Sequence, residues 1–111
     1  MSDESTQFGK PSPRERRLLD LVAEHWQGHQ ATWVDEVLVA PMSDGNMGSL
    51  RLWFPNSPRA HQRFGQQVAE FSFMDADGVE VLVSLNVDEH GVPFELDVWK
   101  TDFTPLLRVP E

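Results

Sequence analysis

The 111 residues hold eighteen carboxylates against nine lysines and arginines, a formal charge of −9, with 40% hydrophobic residues, seven Phe and four Trp. That length fits one domain, and the aromatics supply bulky core material. The absence of cysteine excludes disulfides, thiolate metal sites and cysteine nucleophiles.

Residues 1–11, rich in Ser, Asp, Glu and Gln, are expected to form a flexible tail, and 12–111 a single α+β domain. Met1 to Lys10 lacks the apolar core of a signal peptide, and no apolar run approaches the roughly 20 residues of a membrane span. A cytoplasmic location without a membrane partner is the expectation. A helix is signalled by Ser12 as N-cap, Pro13 at the first helical position and Glu15 completing a capping box. Leu18, Leu19, Leu21, Val22 and Trp26 form its apolar stripe, and Gly28 is placed just beyond its end, near Gln27.

Beyond the helix the apolar period becomes that of strands. Five are expected: Glu36–Met42, Ser49–Phe54, Gln67–Asp75, Val79–Asp88 and Val92–Thr101. Residues 59–65 read as a loop or a short turn of helix, and 103–110 as an irregular apolar segment. The fold expected is an N-terminal helix followed by a five-stranded, strongly bent antiparallel sheet or small barrel.

Alternation fixes the register, because a slip of one residue turns every side chain over. Ala69, Phe71 and Phe73 share parity with Val81, Val83 and Leu85, so their hairpin needs an odd loop. Ala76-Asp77-Gly78 supplies it, with Gly78 left-handed. Phe94, Leu96 and Val98 have the opposite parity, so the next hairpin needs an even loop. His90-Gly91 is the expected two-residue turn, pairing Val87 with Phe94, Leu85 with Leu96 and Val83 with Val98. The apolar face then holds Phe71, Phe73, Val81, Val83, Phe94, Leu96 and Val98.

The reverse face gathers Glu70–Ser84–Asp97, Ser72–Leu82–Trp99, Met74–Glu80–Thr101 and Asn86–Glu95. Residues 70–102 hold nine acids and one base, Lys100, which suits a basic protein partner. The candidate binding residues are therefore Glu70, Leu82, Ser84, Asn86, Glu95, Asp97 and Trp99. The carboxylates of Glu70 and Asp97 flank Ser84, a spacing that glycosidases also use, but any acidic sheet face offers such pairs. No catalytic residue is assigned, and the chain is read as a non-enzyme, with a hydrolase using acidic residues of this face as the least favoured alternative. Asp75-Ala76-Asp77-Gly78 lacks the later ligands of a calcium loop, and His25 and His29 lack the H-E-x-x-H pattern. No metal or cofactor is expected.

Met42-Ser43-Asp44-Gly45-Asn46-Met47-Gly48-Ser49-Leu50-Arg51, Ser84-Leu85-Asn86-Val87-Asp88 and Phe94-Glu95-Leu96-Asp97-Val98-Trp99-Lys100-Thr101-Asp102-Phe103-Thr104-Pro105-Leu106 together carry a resemblance. From about Pro11 to Pro110 the chain resembles a family of small uncharacterised bacterial proteins, a domain of unknown function. The likeness implies a bacterial origin and brings no activity or cofactor. The element order also resembles Sm-like folds, which implies a ring-forming, RNA-binding homo-oligomer as the alternative. The Sm sequence motifs are not visible, and the acidic balance makes nucleic acid the less favoured partner.

Overall fold

The computed structural model describes residues 8–55 and 63–110. Helix α1 spans Pro13–Glu24. Its capping box is reciprocal: the Glu15 amide donates to Ser12 Oγ at 3.2 Å, and the Ser12 amide to Glu15 Oε1 at 2.8 Å. Ser12→Ala should therefore lower stability by about 1 kcal/mol, measurable by urea denaturation. The helix ends before Gln27, because the His25 and Trp26 amides tighten onto Val22 and Ala23 carbonyls three residues back, at 3.0 and 3.1 Å. Gly28, at φ 81°, closes the turn that follows. A short 3₁₀ helix over Ala31–Asp35, which apolar periodicity does not reveal, buries Val34.

The five strands are β1 Leu38–Pro41, β2 Leu50–Trp53, β3 Phe64–Met74, β4 Glu80–Asp88 and β5 Pro93–Lys100. They form one sheet in the order β1-β2-β5-β4-β3, with every neighbouring pair antiparallel. Consecutive strands β3, β4 and β5 make a meander, and the β1–β2 hairpin joins it along β5. The sheet is open, with β1 and β3 at opposite edges, so the barrel alternative is not what forms. β3 begins three residues before the expected Gln67. Its first part was hard to read because the register shifts between Phe64 and Gln66 and again between Gln67 and Ala69. The break expected at residues 56–58 and the loop expected through 59–62 lie outside the described residues.

The first hairpin has the expected register. Phe73 faces Val81, Phe71 faces Val83, and Ala69 faces Leu85. The Asp75 amide donates to the Val79 carbonyl at 2.9 Å, and Gly78 has φ 80°. The second hairpin corrects the sequence reading. Its loop is three residues long, Glu89-His90-Gly91: the Asp88 amide donates to the Val92 carbonyl, and Gly91 alone is left-handed, at φ 81°. Asp88 Oδ1 accepts from the His90 and Val92 amides at 2.8 and 3.0 Å, a side-chain turn that favours the longer loop. A bulge then shifts the register, so Val87 faces Pro93 rather than Phe94. The odd loop and the one-residue bulge together restore the expected pairs Leu85–Leu96 and Val83–Val98. Phe94 is displaced from the core row, and buried Pro93 takes its place.

One face of the sheet and the helix stripe enclose the core: Leu18, Leu19 and Val22 against Leu52, Val83, Leu85, Leu96 and their neighbours, joined by Leu106 from the C-terminal segment. Phe71 and Phe73 border it, half-buried, with His25 stacked on Phe71 at 5.1 Å. Two residues expected in the tail are fixed as well. Gly9 exchanges both backbone bonds with Val39, at 2.9 and 2.8 Å, and Phe8 packs on Trp53.

Candidate functional site

The face away from the helix is set by the same alternation as the core. Glu70–Ser84–Asp97 and Ser72–Leu82–Trp99 form rows across β3, β4 and β5, as the sequence register predicts. Adjacent strands lie about 4.8 Å apart, so Glu70 and Asp97 stand roughly two strand spacings from each other. Glu70, Asp97 and Trp99 are exposed, and Leu82 and Ser84 half-exposed. Asn86 and Glu95 differ. Asn86 is buried and donates from Nδ2 to Glu95 Oε1 at 3.0 Å, so this pair is partly spent on itself, and Arg51 of β2 lies opposite Glu95.

The rows gather an apolar strip at the end near the β3–β4 turn. Met74 is 64% exposed and Trp99 43%. Phe103, just past β5, is 68% exposed, with its ring 6.0 Å from that of Trp99. Glu80, Asp97 and Asp102 lie on or beside these rows and are exposed. Phe103 has φ 64°, a left-handed conformation that costs a bulky side chain on the order of 1 kcal/mol. The Phe103 amide donates to the Lys100 carbonyl at 2.8 Å, and Asp102 Oδ1 accepts from the Thr104 amide and hydroxyl at 3.1 and 2.6 Å, which fix the turn. Apolar periodicity puts Phe103 in an irregular segment and does not reveal this role, because it lies outside the strand and its conformation has no periodic signature.

The core face carries the most unusual polar group. Lys100, opposite Val81, is fully buried. Its Nζ donates to Asp75 at 2.9 Å, Asp77 at 2.7 Å and the Pro105 carbonyl at 3.1 Å. Asp75 is buried too, and also accepts from the amides of Ala76, Leu107 and Arg108 at 2.6, 2.9 and 3.0 Å. Burial pushes the Asp75 carboxyl up, but the Lys100 ammonium and the Leu107, Ala76 and Arg108 amides outweigh it and hold it at about 2. For Lys100, burial favours the neutral form, while Asp77 and Asp75 more than offset it, leaving its pKa raised. The carboxylates that resemble the start of a calcium loop are thus satisfied by a lysine and by backbone, and they tie the first hairpin to the C-terminal segment. The sequence reading takes Asp75-Ala76-Asp77-Gly78 as a turn alone; the signal it passes over is that Asp75 continues the parity of Phe71 and Phe73, and Lys100 that of Leu96 and Val98.

A cleft of about 410 Å³ lies between the start of α1 and the β1–β2 connection, lined by Ser12, Arg14, Asp44, Asn46 and Leu106 among others. Its charged side chains Arg14 and Asp44 are engaged within the fold. Asp44 accepts from the Met47 and Ser49 amides at 3.2 and 2.9 Å, and Arg14 donates to the Leu106 carbonyl at 2.9 Å. Among the described residues no cluster of His, Asp or Glu is arranged to hold a metal ion, and no helix is long and apolar enough to cross a membrane.

No curated protein and no solved structure matches the chain. A family match covers residues 8–110, under the description Domain of unknown function (DUF6984). The matched span takes in Phe8 and Gly9, the whole sheet, the Lys100 network and the Trp99–Phe103 strip, and the chain belongs to that family.

Proposed function

We propose that this domain is a non-enzymatic binding module whose outer sheet face takes a partner segment that is both basic and apolar. One observation carries the reading: Phe103 is held in a left-handed conformation, largely exposed, against exposed Trp99, with carboxylates around them. An exposed aromatic in an unfavourable conformation contributes little to folding, which supports a role in contact with something else. The surrounding Glu70, Glu80, Asp97 and Asp102 would favour Lys- or Arg-bearing partners and repel nucleic-acid phosphates. That charge works against the RNA-binding alternative.

The test separates binding from folding. Phe103→Gly relieves the backbone and should leave the melting temperature unchanged or higher. It should also weaken retention of basic proteins on immobilised domain by tenfold or more, as should Glu70→Lys with Asp97→Lys. Retention by the wild type should fall as salt rises. If the variants retain the same proteins as the wild type, or if the wild type retains RNA instead, the reading is wrong.

A further inference from the structure

The two edges of the sheet are treated differently. The β1 edge is only four residues long, ends in Pro41, and is capped by the Gly9–Val39 bridge. The β3 edge is eleven residues long. Glu70 is its single charge, and it contains neither Pro nor Lys, the residues that commonly block an edge. Its two register shifts disturb the first part, between Phe64 and Ala69, and leave 69–74 in regular pairing with β4.

The direction of the free backbone groups follows from the ladder. The Asp75 amide donates to Val79 across the hairpin. Antiparallel bonding alternates, so Phe73, Phe71 and Ala69 also bond to β4, while Met74, Ser72 and Glu70 aim their N–H and C=O groups outward. Among the described residues no backbone group is bonded to these outward positions. An added strand must therefore pair residue by residue with 70, 72 and 74, and must match half-buried Phe71 and Phe73 on one face and exposed Glu70, Ser72 and Met74 on the other.

We propose that this edge pairs with the same edge of a second copy, antiparallel about a two-fold axis at Ser72. In that register Ser72 faces its own mate, and Glu70 faces Met74 of the other copy. Each of the three then exchanges both backbone bonds with the partner. Phe71 lies opposite the other copy's Phe73, on the core face, so both half-exposed rings gain an apolar neighbour. The register centred on Glu70 is disfavoured because it sets two carboxylates directly opposite each other. The segment is thus complementary to itself in hydrogen bonding and in face, and this register sets no like charges opposite each other, as suits an isologous interface. The product is one sheet continuous across both copies.

Light scattering on the full chain at high micromolar concentration should give twice the monomer mass, dissociating on dilution. Ser72→Lys sets two ammonium groups together at the axis and should weaken the dimer at least tenfold. Ser72→Pro removes an outward N–H without touching the β4 ladder and should do the same, with circular dichroism confirming that both variants are folded. Hydrogen exchange should show the Glu70, Ser72 and Met74 amides protected in the concentrated wild type and rapidly exchanging in Ser72→Lys. A wild type that stays monomeric, or a dimer indifferent to both substitutions with those three amides unprotected, overturns the proposal.

Discussion

Asp75→Asn should lower the free energy of unfolding by about 3 kcal/mol, the scale expected when one partner of a buried ion pair is removed. In a domain of this size that corresponds to a fall in Tm of more than about 10 °C. The loss has two sources. The Lys100 ammonium stays buried with its counter-charge reduced to the partly exposed Asp77. In addition, one of the amides of Leu107 and Arg108, now bonded to opposite carboxylate oxygens, meets an NH₂ group in place of an acceptor. The pH dependence has a definite sign. A carboxyl at about 2 in the fold, against 3.8 when free, binds its proton less readily folded than unfolded. Its contribution is complete above roughly pH 5 and is lost as pH falls from about 4 toward 2. Denaturation midpoints across that range should therefore fall more steeply for the wild type than for Asp75→Asn. Parallel curves would show that Asp75 does not hold the network together.

Gly65→Ala should also be severe, with a loss of up to about 3 kcal/mol. The Cβ of any other residue here would collide with the carbonyl oxygen of Asp88, and would come within 2.6 Å of its carbonyl carbon and 3.0 Å of the Glu89 nitrogen. All of these are backbone atoms, so no rotamer change relieves the clash. They also belong to the Asp88–Glu89 turn, where the Glu89 amide donates to the Arg63 carbonyl at 3.1 Å. Relief requires the first residues of β3 to leave β4. The substitution should lower Tm and accelerate amide exchange near residues 64–67 and 87–89, while the turn at 75–79 stays protected. An unchanged Tm would mean that this close approach is not kept in solution.

These two positions show what could be read from the chain and what could not. Parity alone placed Phe71, Phe73, Val81 and Val83 and required the loop ending at Gly78, because a two-residue turn would put Phe71 and Phe73 on the wrong face. The burial of Asp75 and Lys100 is not among the sequence expectations, although both continue the parity of the core-facing residues on their strands. Parity constrains only the sum of loop and bulge. The second hairpin met that constraint with a three-residue loop and one displaced residue, Phe94, where the simplest reading uses a two-residue turn. Gly65 could not be read at all, because its role depends on how closely a distant turn approaches. For the outer face, the register brought Glu70, Ser84, Asp97, Leu82 and Trp99 together, but the withdrawal of Asn86 toward Glu95 and the approach of Phe103 to Trp99 depend on side-chain geometry that alternation does not encode.

The strand order also sets a timetable for the nascent chain. β5, last of the strands to be made, lies in the middle of the sheet and is the link between β1–β2 and β4–β3. While a ribosome is still producing residues 93–100, the first hairpin has no neighbour along Leu50 and Arg51, and β4 is paired on one side only. Lys100 then has to wait for Pro105, and Asp75 for Leu107 and Arg108. Growing chains of this protein should therefore remain open to proteases until residues 93–108 are free of the ribosome, and then close in one late cooperative step.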